Sequence, residues 1–151
     1  MNFDLLTTEL TRDEGMRLTV YDDATGKPLR PGDTLKGHPT IGIGRALDTH
    51  GISQQEAYAL LHNDIFSITD ELYRRIPSAE KLNEVRQMVL ACMAFQMGVE
   101  GLLGFHDTLA AVGRGDYGIA AAGMLDSKWA KQTPARAERL AEMMKTGEVA
   151  D

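Results

Sequence analysis

Between Leu82 and Met97 the chain carries an apolar stretch dense enough to form a central, mostly buried helix. From Ser78 onward the pattern is helical throughout. After Met97 it is cut into short pieces by Gly98, Gly101, Gly104, Gly113 and Gly115. Upstream, Ser53 and Glu56 form a capping box, in which each side chain satisfies the other residue's free backbone N–H. A long helix is expected from there to about Ile76, before Pro77, with Ala57, Leu60, Leu61, Ile65, Ile68 and Leu72 as its apolar positions.

The first fifty residues follow other rules. Asn2 can cap a helix that has Leu5, Leu6 and Leu10 at near-helical spacing, and Gly15 is a stop signal that places Glu14 at its C-terminus. In Arg17 to Asp22 the alternation of Leu18 and Val20 with Arg17, Thr19 and Tyr21 predicts a half-buried strand. Asp22 to Gly26 is turn chemistry. Lys27 to Pro39 holds three of the five prolines and two glycines, and reads as a loop or irregular hairpin. Thr40 to Gly44 reads as a second strand. Ile41 and Ile43 share one face; Thr40, Gly42 and Gly44 leave the other nearly bare, as close approach of a ligand or another backbone requires.

The expected fold is α+β: a small α+β N-terminal lobe over about 1–52, a connecting helix over 53–76 and a helical lobe over 77–151. A length of 151 residues suits one domain or two small lobes, and 43% apolar residues suffice for a real interior. Ligand sites favour the cleft between such lobes. No apolar run approaches the roughly 20 residues of a membrane span, so no stable membrane insertion is expected. Met1-Asn2-Phe3-Asp4 does not begin a signal peptide, which points to folding in the cytoplasm.

Cys92, the single cysteine, lies in an apolar stretch and is expected to be buried as a small hydrophobe. Met88, Met93 and Met97 are expected in packing, and Trp129 as a core or cleft-wall aromatic. His38, His50, His62 and His106 show no zinc-ligand spacing, so no metal site is expected. Gly42 and Gly44 are not a dinucleotide fingerprint, because the third glycine and the βαβ context are missing. The formal net charge of −6 argues against nucleic-acid binding. From Lys128 to Lys145, however, five bases face two acids, either as a solvated helical face or as a surface for an anionic polymer.

Asp13, Glu14, Asp22 and Asp23 fall within eleven residues. A carboxyl at a helix C-terminus meets unpaired carbonyls and the negative dipole end, which favour its protonated form. A second carboxylate on a turn beside a strand stays ionised. Such a division is how glycoside hydrolases assign acid and base roles. Three ordered blocks then become specific. The first is Asp13-Glu14-Gly15-Met16-Arg17-Leu18 with Tyr21, Asp23 and Thr40-Ile41-Gly42-Ile43-Gly44. The second is Phe95-Gln96-Met97-Gly98 with Gly101 and Gly104-Phe105, and the third is Ser127-Lys128-Trp129-Ala130-Lys131-Gln132-Thr133-Pro134-Ala135-Arg136-Ala137.

Over nearly its whole length the chain resembles the T-even phage lysozyme family. The resemblance implies a muramidase that hydrolyses the β-1,4 bond between N-acetylmuramic acid and N-acetylglucosamine in peptidoglycan, with inversion and without a cofactor. It makes Glu14 the catalytic acid and Asp23, nine residues on, the second carboxylate, and Thr40 the residue that helps hold the attacking water. Phe95, Gln96 and Thr108 match cleft-lining positions, and Arg136 an arginine that reaches the catalytic glutamate, where it would lower that carboxyl's pKa. It also implies a monomer that acts in host lysis on the periplasmic wall and reaches it through a holin pore.

The chain departs from the family's T-even member in four ways. The Asp23–Thr40 interval is longer, the Gly44–Gly51 interval is shorter, and the net charge is negative where that member is basic. Arg45 stands where the family has a histidine whose acidic partner matches Asp64, so an Arg45–Asp64 ion pair is expected. Two rivals remain in view. A lytic transglycosylase would use Glu14 alone and close an anhydro ring, against which Asp23 and Thr40 speak. A wall-binding or tail-structural module would keep the fold without turnover, against which the intact Glu14, Asp23 and Thr40 speak.

Overall fold

A computed structural model of the chain describes residues 1–150. The backbone divides into two compact units, Met1–Tyr58 and a second from Ala59 onward. The first holds helix α1 (Phe3–Glu14), strands β1 (Arg17–Asp22), β2 (Pro39–Gly42) and β3 (Arg45–Ala46), and the start of α2 (Gln54–Arg75). The rest is helical: the end of α2, a 3-10 turn at Ala79–Lys81, α3 (Glu84–Leu103), α4 (His106–Arg114), α5 (Tyr117–Leu125), α6 (Lys128–Gln132) and α7 (Pro134–Thr146). This is the expected α+β class.

The three strands form an antiparallel sheet in the order β1-β2-β3. Tyr21 faces Thr40 and Asp22 faces Pro39, and a bulge separates these pairs from Arg17 opposite Gly42. The predicted second strand is shorter at its far end: the chain turns at Ile43-Gly44 into β3, a two-residue strand that periodicity is too short to reveal. Val20 is half-buried, as the alternation predicts, but Leu18 is 83% exposed, because burial along β1 rises only toward Asp22. The Arg17 guanidinium lies 4.4 Å from the centre of the Tyr21 ring and donates to the Gly26 carbonyl at 2.6 Å, bracing the turn that follows β1.

The capping box closes as predicted: Ser53 N–H donates to Glu56 at 2.8 Å and Glu56 N–H donates to Ser53 Oγ at 3.2 Å. The same carboxylate takes Arg45, with Nη2 to Oε1 at 2.9 Å. This corrects the expected Arg45–Asp64 pair. Glu56 lies in the first turn of α2 beside β3, whereas Asp64 is eight residues farther along that helix, about 12 Å at 1.5 Å per residue. Ser53, and then the Arg45 charge, hold Glu56 below the usual carboxylate range. The stabilisation from this group is therefore present above the unfolded value near 4.3 and is lost as pH falls through the depressed folded value. A double-mutant cycle on unfolding should find Arg45→Ala and Glu56→Gln coupled, and Arg45→Ala and Asp64→Ala additive. Coupling to Asp64 alone would restore the original expectation.

In the helical unit Val89, Leu90, Met93 and Ala94 line the buried face of α3. Leu102, Ala111, Ala120, Met124, Leu140 and Met144 close round them. Burial of each large side chain here removes it from water for a gain of about 1.5–3 kcal/mol. The predicted central helix starts from an Asn83 cap, which accepts Arg86 N–H at 3.0 Å, and breaks at Gly98, whose φ of 77° no helix contains. Cys92 and Met88 differ from expectation. The thiol is only half-buried against the core and Met88 is 40% exposed, since the buried stripe of α3 does not wrap all the way round. The unpaired carbonyls at the end of α7 are met by Arg86, which donates to Met144 and Lys145, and by Asn83, which donates to Gly147. No single helix among the described residues is long and apolar enough to cross a membrane.

Candidate active site

Glu14 is the last residue of α1. The helix stops there because Gly15 takes φ 70° and turns its N–H back to the Thr11 carbonyl. The Glu14 side chain is exposed and lies on Gly44. A Cβ built on Gly44 would stand 2.9 Å from Glu14 Oε2 and 3.4 Å from its Cδ. The bare strand face read from Thr40-Ile41-Gly42-Ile43-Gly44 therefore has an occupant, the carboxyl group of Glu14. Gly44 also has φ 70°, which side-chain-bearing residues rarely adopt.

Asp23 follows β1 and is held from the returning strand. Its Oδ1 accepts His38 N–H at 2.7 Å, and its own N–H donates to the His38 carbonyl at 3.1 Å. The same carbonyl accepts the hydroxyl of Thr40 at 3.1 Å. Thr40 is buried, while Asp23 is exposed. One residue, His38, thus fixes Asp23 through its N–H and Thr40 through its C=O. The approach is close enough that a Cβ on Gly37 would fall 2.1 Å from Asp23 Oδ1 and 2.8 Å from Ala24 N.

Beneath this contact sits Asp22, which is 3% exposed. Its Oδ2 accepts Lys36 N–H at 2.7 Å, and its Oδ1 accepts Ala24 and Gly37 N–H, each at 3.0 Å. These bonds, Lys36 first, favour the ionised form and outweigh the burial that opposes it, so Asp22 titrates below the usual carboxylate range. Asp22 is the knot that ties the long hairpin to the end of β1. Its Asp-Asp-x-x-Gly setting signals a turn, but nothing in it signals partners fourteen and fifteen residues away.

His38 was notable in the sequence only for lacking zinc spacing. Its Nδ1 meets Asp48 Oδ2 at 2.8 Å. The Asp48 hydrogen bond, then the Asp48 and Asp23 charges, raise the imidazole above its ordinary value, and Asp48 is lowered in turn. For His38 the associated stabilisation is full below about pH 6.5 and is lost as pH rises through the elevated folded value. For Asp48 it is present above about 3.9 and is lost as pH falls through the depressed one. The ring's pairing with Asp48 is therefore fullest on the mildly acidic side of neutrality. An NMR titration should find the His38 ring titrating above 6.5 in the parent and moving back down in Asp48→Asn. An unmoved titration would mean that Asp48 does not hold the ring.

In the helical unit Gln96 accepts two donors on Oε1, Trp129 Nε1 at 2.9 Å and Arg136 Nη1 at 3.0 Å. Both bonds fall on the carbonyl oxygen, so the amide nitrogen remains as the donor. Trp129 is 7% exposed, and its ring stands edge-on to Phe105 with centres 6.3 Å apart. A hollow of about 450 Å³ is lined by Phe105, Thr108, Lys128 and Trp129. Thr108 itself is buried, its hydroxyl filling the space that a Cβ on Gly123 would take. Phe95 is 49% exposed.

The family described as phage lysozyme matches residues 11–145, a span that includes Glu14, Asp22, Asp23, His38, Thr40, Gln96, Thr108 and Arg136. This chain belongs to the phage lysozyme family. Its relatives come in two lengths. Over 91% of this chain it is 31% identical to the pre-baseplate central spike protein Gp5 of Enterobacteria phage T4, of which it spans 27%. It is 28% identical to the probable T4-type lysozyme 1 of Dictyostelium discoideum, over 91% of this chain and 92% of that protein. It is 30% identical to the peptidoglycan hydrolase gp36 of Pseudomonas phage phiKMV, over 90% of this chain and 14% of that protein. The phage lysozyme fold is thus shared by proteins of its own size and by proteins several times longer.

Proposed function

We propose that this phage lysozyme is a muramidase that hydrolyses the β-1,4 bond between N-acetylmuramic acid and N-acetylglucosamine in peptidoglycan. The observation that carries the reading is the division of labour between two carboxyls of one unit. Glu14 rests on a bare glycine with no hydrogen-bond partner among the described residues, so nothing in the loop occupies its carboxyl. Asp23 is pinned by a backbone N–H beside a hydroxyl. Glu14 protonates the glycosidic oxygen as the bond to the anomeric carbon breaks. Asp23 takes a proton from a water that attacks the opposite face. The Thr40 hydroxyl gives its hydrogen to His38 and keeps its lone pairs for that water. A mechanism with water between carboxyl and sugar inverts the anomeric centre and needs carboxyls roughly 6.5–9.5 Å apart.

The helical unit, taken by itself, carries groups that suit a sugar. The Gln96 amide nitrogen and the Thr108 hydroxyl suit the acetamido and hydroxyl groups of a sugar, Phe95 offers an exposed aromatic face, and Arg136 orients Gln96. A carboxyl pair and a water complete the chemistry without a cofactor. The chain works as a monomer and causes lysis of a host, reaching the periplasmic wall through a holin pore. Clearing of permeabilised Gram-negative cells, with release of reducing muramic ends, is the expected result. Released ends that lack the elements of water would indicate a transglycosylase, and wall binding without clearing a structural module.

A further inference from the structure

The long hairpin between β1 and β2 encloses a hollow of about 440 Å³, within the size range of small-ligand sites. Lys27, Arg30 and Lys36 line it, with Pro28 and Leu29 as apolar wall. Among the described residues none of these three cations takes part in an ion pair or a side-chain hydrogen bond. Two carboxylates also line the hollow, and both are hydrogen-bonded to the backbone of the loop. Asp22 accepts its three backbone N–H groups, and Asp33 Oδ2 accepts Arg30 N–H at 2.8 Å. Three cations against two carboxylates leave the hollow one positive charge in excess, in a chain whose net charge is −6. Its position matters as much as its charge. Asp22 lines it and precedes Asp23, while Lys36 precedes the Gly37-His38 segment that clamps Asp23.

We propose that this hollow binds a carboxylate of the peptide stem carried by the glycan strand, an inference that rests on the muramidase reading above. The stem is amide-linked to the lactyl group of muramic acid, so the sugars of a substituted strand are neutral and the anions lie on the stem. A guanidinium takes a carboxylate through two parallel N–H donors, and the two ammonium groups add point charges. Pro28 and Leu29 provide contact for the methyl groups of stem alanines. The enlarged hairpin thereby places recognition of stem charge next to the carboxylate that handles water.

The test uses the whole chain and a variant combining Lys27→Gln, Arg30→Gln and Lys36→Gln, which removes charge while keeping side-chain length. Each is given soluble stem-bearing strands and strands stripped of stems by an amidase. The parent should favour stem-bearing strands in kcat/KM by about tenfold or more, as a hydrogen bond to a charged group supplies. The variant should lose that preference and cut stripped strands at the parent rate. Equal losses on both substrates, or a preference that survives, would overturn the proposal. A free stem peptide, titrated into the parent and followed by NMR, should shift residues 22–36, whereas its fully amidated form should not. Absence of that shift, with stripped strands still cut, removes the stem site and leaves the muramidase reading standing. Shifts without cleavage of either strand do the reverse.

Discussion

Glu14→Gln should lower wall hydrolysis by at least the roughly 10²–10⁴-fold that general acid catalysis supplies, with thermal unfolding unchanged. The amide keeps the shape that lies on Gly44 but has no proton to transfer. The fold is insensitive because Glu14 is exposed and α1 is terminated by Gly15, not by the Glu14 side chain. Asp23→Asn should be comparably severe for a different reason. Its remaining carbonyl oxygen can still accept His38 N–H, so the hairpin stays closed while the base that takes the water's proton is gone. Clearing by Glu14→Gln at near the parent rate would remove Glu14 from the mechanism.

Gly37→Ala should disable the enzyme almost as thoroughly without replacing a reacting group. The added methyl carbon would sit 2.1 Å from Asp23 Oδ1, 2.7 Å from Ala24 Cβ and 2.8 Å from Ala24 N. The last of these is backbone, held in the turn by Asp22, and cannot rotate away. The two arms of the loop must part there, and Asp23 moves with them. A misplacement of about 1 Å is worth about 10²-fold in rate. Activity should fall by that order, while unfolding of the helical unit is unaffected. In an Asp23→Asn background the same substitution should add little, because the group it displaces no longer works. Full additivity would place the effect of Gly37 elsewhere than on Asp23.

The legibility of the sequence differed between elements for physical reasons. Asn2, Gly15 and the Ser53–Glu56 box act on residues within one helical turn, and these ends fell where their chemistry placed them. The apolar stripe of α3 was legible because a buried helix repeats its pattern over several turns. The bare face of the Gly42 and Gly44 segment was legible too, although only the fold shows Glu14 resting on it. What the sequence hid is nonlocal. Asp22 reads as one acid among four, yet its partners are Lys36 and Gly37. His38 reads as a stray histidine, yet its backbone joins Asp23 to Thr40 and its ring reaches Asp48. Both lie in or beside a loop without periodicity, where no pattern relates one residue to another. The Arg45 expectation failed in the same way: the charge was right, but the nearest acid was set by the turn from β2 into β3 and not by family correspondence.

The central claim is hydrolysis in which Glu14 gives a proton and Asp23 guides a water to the opposite face. The most direct test is digestion of stem-free glycan strands in water enriched in oxygen-18, with the fresh reducing ends read by NMR and by mass. The account predicts one labelled oxygen at the muramic anomeric carbon and an α anomer at first appearance, inverted from the β bond that was cut. A β anomer would mean a retained configuration and a different task for Asp23, and an unlabelled anhydro end would mean that no water attacks at all.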